Sequence, residues 1–178
     1  LVRSAFLLVA ATLLLIWAYA AVRFHWDFAL GAIIALLHDC LIMFTFISWT
    51  QIEFSTTTLA AVLTIVGYSI NATVVILERI RYNLKMMSEA KSFSQILNKS
   101  LSDTFTRSVL TTVTTLFAVV SLYVFTTGTI KDFSLALIVG LLSGMYSSIY
   151  ISSGFINFTR RNWKVEYGVH HSLKKSSN

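Results

Sequence analysis

The chain contains no proline. Nothing in it imposes the kink that a proline puts into a helix, so long helices can run unbroken. Cysteine occurs once, at Cys40, which excludes an internal disulfide. Cys40 lies in an apolar run and reads as a buried structural thiol. Charge is also scarce: 12% of residues are Asp, Glu, Lys or Arg, where a soluble domain carries about 25%. The sequence offers no nucleophile–base pair, no phosphate-binding glycine loop and no cluster with metal-ligand spacing. It therefore argues against an enzyme and calls for no cofactor or metal. The formal net charge of +6 does not point to nucleic acid, because the basic residues do not interleave with aromatics on one surface.

What the sequence has instead is apolar length. Of its 178 residues, 56% are apolar, and the mean hydropathy is +0.72. A helix needs about 20 mainly apolar residues to cross the hydrocarbon core. Five segments qualify: 5–22, 28–49, 58–77, 109–127 and 133–158. The predicted fold is an all-α polytopic membrane protein with five transmembrane helices. Short links (23–27, 50–57 and 128–132) make sequence neighbours antiparallel. The polar stretch 78–108 reads as a cytoplasmic loop long enough for an amphipathic surface helix, with Phe93, Ile96, Leu97 and Leu101 on one face. Residues 159–178 read as a basic, disordered cytoplasmic tail carrying His170, His171, Lys174 and Lys175.

Basic residues fix a direction. Arg23, the group from Arg79 to Arg107, and the group from Arg160 to Lys175 fall on one side of the membrane. Arg3 and Lys131 fall on the other. The positive-inside rule puts the first set in the cytoplasm, the N-terminus outside and the C-terminus inside. Trp17, Trp26, Trp49, Tyr123 and Trp163 lie near span ends, as interfacial anchors do. An N-terminus outside, with no signal peptide before Leu1, leads to the expectation of an upstream segment with at least one further crossing.

Polar groups inside the spans are the candidate functional residues, because such groups are expensive in a bilayer. Asp39 is the one carboxylate well inside a span. It lies about 11 residues, or about 16 Å, from the cytoplasmic end of its helix. An acid at that depth must face protein or water, pair with a partner, or hold a proton. It is either a proton carrier or a structural acid bonded to a neighbouring helix. His38 precedes it, about 100° around the helix, as a proton relay or a packed, hydrogen-bonded histidine. Asn71 shares a face with Gly67. That pairing suggests close approach of another helix with the amide bonding across it, or a residue lining a proton path. Gly140 and Gly144 form a small-residue pair, extended by Ser147 and Ser148, that suits close helix packing. The threonines at 111, 112, 114 and 115 can bond to carbonyls of the preceding turn or line a hydrated path. Glu78, Arg79 and Arg81 end the third span abruptly, as a cytoplasmic boundary or a docking cluster. Arg107 reads as a basic anchor at the start of the fourth span.

The segment GYSINATVVILERIR, from Gly67 to Arg81, resembles the signature of the SecF family. So do ALLHD at Ala35–Asp39, RSVLTTVTT at Arg107–Thr115 and FSLALIVGLLSGMYSSIY at Phe133–Tyr150, all in family order. The resemblance implies the second to sixth spans of a six-span protein, without its first span and periplasmic domain. The fold would be half of a pseudo-symmetric bundle of the resistance-nodulation-division type, completed by SecD. The role implied is to assist preprotein translocation across the bacterial inner membrane using the proton-motive force. The implied partners are SecD, the SecYEG translocon and the preprotein, within the lipid bilayer, with YidC and YajC as further candidates. In SecF an aspartate normally follows the amide that stands here as Asn71, and it belongs to the proposed proton path. This chain has Ala72 there. The family places a cation at Arg107 as that acid's partner, so Arg107 should be unpaired, or paired with Asp39 or an acid of SecD. Two alternatives stay open: half of a proton-coupled small-molecule exporter of the same superfamily, or a scaffold for SecD without its own proton site.

Overall fold

A computed structural model describes residues 2–24, 26–86 and 92–160. The described residues form helices α1 (Val2–Arg23), α2 (Trp26–Thr50), α3 (Thr56–Met86), α4 (Phe93–Phe125) and α5 (Thr129–Tyr146). A π-helical segment (Ser147–Ser152) and α6 (Ser153–Thr159) complete them. The last three run on as one rod, so the described residues include five helices long and apolar enough to cross a membrane.

Local chemistry sets the helix ends. The Thr58 backbone N–H donates to Ser55 Oγ at 3.2 Å, which caps the start of α3. Gly128 has φ +63°, a conformation that suits glycine, and its carbonyl accepts from the N–H groups of Lys131 and Asp132 as α5 begins. The polar stretch after the third span differs from expectation. Helix α3 continues through Glu78, Arg79 and Arg81 to Met86, and α4 begins at Phe93. Phe93, Ile96 and Leu97 are buried, but on the first turns of the fourth long helix rather than on a separate surface helix. The basic tail beyond Arg160 lies outside the described residues.

Helices α2, α3 and α5 form the centre. One apolar cluster joins Leu36, Met43, Val62, Ile65, Val66 and Leu141. A second, nearer the C-terminal ends of α3 and α6, joins Phe28, Ile76, Leu77, Ile80, Phe93 and Ile156. Helix α4 leaves Leu110, Phe117, Val124 and Phe125 exposed, and α1 leaves Leu14 and Leu15 exposed. Such faces suit lipid tails or further apolar helices.

Lipid is as apolar as leucine, so helices in a membrane associate through close packing and interhelical hydrogen bonds. Glycine supplies the closeness between α3 and α5. A Cβ added at Gly140 would stand 2.4 Å from Ile65 Cγ1 and 2.9 Å from Met43 Sδ. One at Gly144 would stand 3.4 Å from Ser69 Cβ. Residues 65 and 69 thus meet residues 140 and 144 in step, so α3 and α5 run parallel. Gly67 is different: among the described residues nothing lies within 4 Å of its Cβ position, and none of their helices uses it for close approach.

This contrast gives a test. Gly140→Val should lower stability by about 1–3 kcal/mol through overpacking. Gly67→Ala should be neutral, or stabilising by up to about 1 kcal/mol through helix propensity. Unfolding of the chain in mild detergent measures both.

Candidate functional site

Helix α2 places Asp39 between α3 and α5, fully buried. Its carboxylate accepts three hydroxyl hydrogen bonds from two other elements and the segment that follows them. Ser69 Oγ of α3 donates to Oδ2 at 2.5 Å, and Ser147 Oγ, in the π-helical segment, donates to the same oxygen at 2.7 Å. Ser143 Oγ of α5 donates to Oδ1 at 2.8 Å. A buried carboxylate is tolerable only when such donors replace its water. Gly144 lines the same place, with its Cβ position 3.7 Å from Oδ2.

His38 is half-buried, and its Nδ1 lies 3.5 Å from Asp39 Oδ1, the outer limit of a hydrogen bond. The turn of the helix does not separate the two side chains entirely. The His38 ring lies 6.4 Å from Tyr146, which stacks on Tyr150 at 5.1 Å. Arg107 is not among the partners of Asp39, so the pairing considered from the sequence does not form within this chain.

Arg107 belongs to a second polar group on the outside of the bundle. It lines a cavity of about 100 Å³ with Tyr68, Asn71, Ala72, Thr111 and Thr112. Tyr68 donates to Thr112 Oγ1 at 3.1 Å. Arg107 and Asn71 are exposed. Asn71, read from the sequence as bonding across to another helix or lining a proton path, stands on the outer side of α3 in this chain. The buried stripe of α3 passes through Ser69, Thr73, Ile76 and Ile80, and Asn71 falls two residues, about 200°, from Ser69. Besides the Arg107 cavity, it borders a groove toward α1 beside Leu15 and Tyr19. The threonines of this region mostly serve their own helix: Thr111, Thr114 and Thr115 donate to carbonyls one turn back.

A third group gathers where α1, α3 and α6 end. Arg23 Nη2 meets Glu78 Oε1 at 2.9 Å, and Arg81 Nη1 donates to the Arg23 carbonyl at 3.3 Å. Arg79 meets Asp103 Oδ2 at 2.7 Å, Lys99 meets Oδ1 at 2.9 Å, and Asn83 donates to Ser100 Oγ at 2.9 Å. Arg160 lies over the rings of Phe28 and Phe93. Lys99 and Arg79 hold the Asp103 carboxyl down at about 2. Asp103 precedes Val109, where the apolar run of α4 starts.

Residues 1–162 match the family model described as protein export membrane protein SecD/SecF, C-terminal. The chain belongs to this family. A protein translocase subunit SecF of Treponema pallidum is 52% identical over 161 residues, 90% of this chain and 38% of that protein. The corresponding subunit of Borreliella burgdorferi is 45% identical over 152 residues, 85% of this chain and 50% of that protein. The chain thus spans half or less of the length of these two SecF relatives. Its fold matches SecDF, a translocon-associated membrane protein from Thermus thermophilus, with TM-score 0.85 and 39% identity over 89% of this chain and 22% of that one. It also matches SecDF in a super-membrane-facing form, with TM-score 0.77 and 37% identity over 93% of this chain and 21% of that one. The five-helix membrane architecture read from the sequence is that of this family.

Sequence reasoning found Asp39 but missed two of its three donors, Ser69 and Ser143, and read Ser147 only as part of a small face. A signal was available: Ser143 and Ser147 stand four apart beside Gly140 and Gly144, four apart on the same side. Two outcomes test the geometry. Asp39→Ala should destabilise more than Asp39→Asn, because Ala strands three buried hydroxyls at about 1–3 kcal/mol each while Asn keeps an acceptor; thermal unfolding in detergent reads the difference. Asp103 has a folded pKa below its unfolded value of about 4. Its contribution should be complete above about pH 4 and lost as pH falls toward about 2. Asp103→Asn should remove that part of the acid sensitivity in a pH series of unfolding curves.

Proposed function

We propose that this chain is the membrane part of a SecF-type subunit that pairs with SecD and assists preprotein translocation through SecYEG, across the bacterial inner membrane. In this reading the proton-motive force drives it, and Asp39 is the proton-accepting group that this chain contributes. One observation carries the proposal: a carboxylate buried at mid-helix depth, surrounded by hydroxyls from separate helical segments rather than by a cation. Such a group can exist charged or protonated, because each serine hydroxyl can rotate to donate or accept. His38 at its edge is the nearest titratable neighbour and the candidate relay.

The orientation follows the same reading. Arg23, Arg79, Arg81, Lys99 and Arg160 gather at one end of the bundle, which the positive-inside rule assigns to the cytoplasm. The C-terminal end of the chain is then cytoplasmic, and its N-terminus lies on the far side. The exposed faces of α1 and α4 suit SecD and lipid. YidC and YajC are further partners of the assembled complex.

A second reading has its own support. Ala72 puts a methyl group where the family resemblance expects an acid, and Arg107 stands beside it with no ion pair among the described residues. A scaffold that stabilises SecD without moving protons would tolerate that change. Proton-dependent export in vesicles containing SecYEG, SecD and the complete subunit separates the two. The first reading predicts that Asp39→Asn abolishes the part of export that depends on the proton gradient, while Ala72→Asp leaves it intact or raises it. The scaffold reading predicts no effect of Asp39→Asn on that dependence. Copurification with SecD and SecYEG tests the partner assignment.

A further inference from the structure

Helical hydroxyls in this chain have a default partner. Thr12, Thr64, Ser100, Thr104, Thr111 and Ser134 each donate to the carbonyl four residues back. Ser69, Ser143 and Ser147 donate to Asp39 instead, and two buried hydroxyls have neither kind of partner. Thr73 Oγ1 and Ser152 Oγ are fully enclosed and have no partner. A buried hydroxyl without a hydrogen bond costs about 1–3 kcal/mol, so such groups mark sites where water is bound.

Their placement is specific. On α3, Thr73 is one turn beyond Ser69, the donor to Asp39. The parallel register of α3 and α5, with 65 opposite 140 and 69 opposite 144, puts Thr73 at the level of Ser148. Ser152 follows one turn further, at the level of Gly31, whose Cβ position lies 3.2 Å from the Ser152 carbonyl. Ser152 closes the π-helical segment Ser147–Ser152, where backbone bonds reach to the fifth residue. Two buried hydroxyls without partners thus stand at successive levels between Asp39 and the basic end of the bundle.

We infer that Thr73 and Ser152 bind internal water and form, with Ser147 and Asp39, a hydroxyl-and-water relay from the carboxylate to the basic end. This deepens the reading of Asp39 as a proton acceptor and rests on it. A proton passes along such a line by exchange of hydrogen bonds, each oxygen accepting one proton and giving up another, so no atom accumulates charge. The groups in contact with Asp39 are Ser69 from α3, Ser143 from α5, Ser147 from the π-helical segment and the neighbouring His38. His38 is half-buried beside the carboxylate, and the buried thiol of Cys40 follows Asp39 on the same helix.

The test uses the complete subunit with SecD in liposomes loaded with a pH-sensitive dye, under an imposed proton gradient. Thr73→Val together with Ser152→Ala removes both hydroxyls at nearly constant shape. Proton flux should fall about tenfold, the effect of losing roughly one good hydrogen bond's worth of barrier lowering. Thr73→Ser should restore flux in a Thr73→Val background. If Asp39→Asn lowers flux and the double variant does not, the relay is overturned while the role of Asp39 stands. If Asp39→Asn leaves flux unchanged, the parent reading fails. Unfolding then decides the water site: a hydrated pair predicts that Thr73→Val destabilises, and a dry pair predicts that it stabilises, which overturns the site.

Discussion

The structure depends on one demand: a carboxylate buried among apolar helices must have its lost water replaced. Asp39 meets it with three serine hydroxyls, from α3, α5 and the π-helical segment. Each bond crosses between helices, so the carboxylate fixes the register of α2 against the α3–α5 pair as well as satisfying itself. In lipid, where no hydrophobic drive holds helices together, such bonds and tight packing do the holding. Gly140 complements them one turn away by letting Ile65 and Met43 close on the α5 backbone.

Polar groups fall into an inner and an outer set with different requirements. The Asp39 site is complete within the chain. The Arg107 site is open: arginine and threonines of α4 and tyrosine and asparagine of α3 border a small cavity on the outside of the bundle, and Asn71 also borders a groove toward α1. An arginine at the edge of an apolar run needs water, lipid headgroups or an acid from elsewhere. The inner site has its hydrogen-bond donors within this chain, and the outer one leaves room for a neighbour to add to it.

Much of this was legible in the sequence. Five apolar runs of spanning length, basic residues clustered at alternate ends and one mid-span carboxylate follow from hydropathy and charge alone. The family motifs were legible because their order and spacing match over most of the chain. Three features were not. Asn71 looked buried because it sits in an apolar run, but an apolar run in a membrane has a lipid or partner face as well as an inner one, and the α3 stripe through Ser69 and Thr73 excludes it. Ser69 and Ser143 looked like ordinary small residues, because a serine in a helix usually bonds its own backbone and only a tertiary neighbour such as Asp39 diverts it. The π-helical segment left no mark, since the absence of proline removes one cause of helix irregularity and not the others. The extension of α3 to Met86 and the early start of α4 at Phe93 were hidden in a polar stretch that hydropathy assigns to no span.

The central claim is that Asp39 is held by hydroxyls on separate helices, and a double-mutant cycle tests it most directly. Stability of Asp39→Asn, Ser147→Ala and the double variant would be measured in the same detergent. Direct bonding predicts a coupling energy of about 0.5–3 kcal/mol, as for groups in one hydrogen-bond network. Strict additivity of the two substitutions would contradict the account.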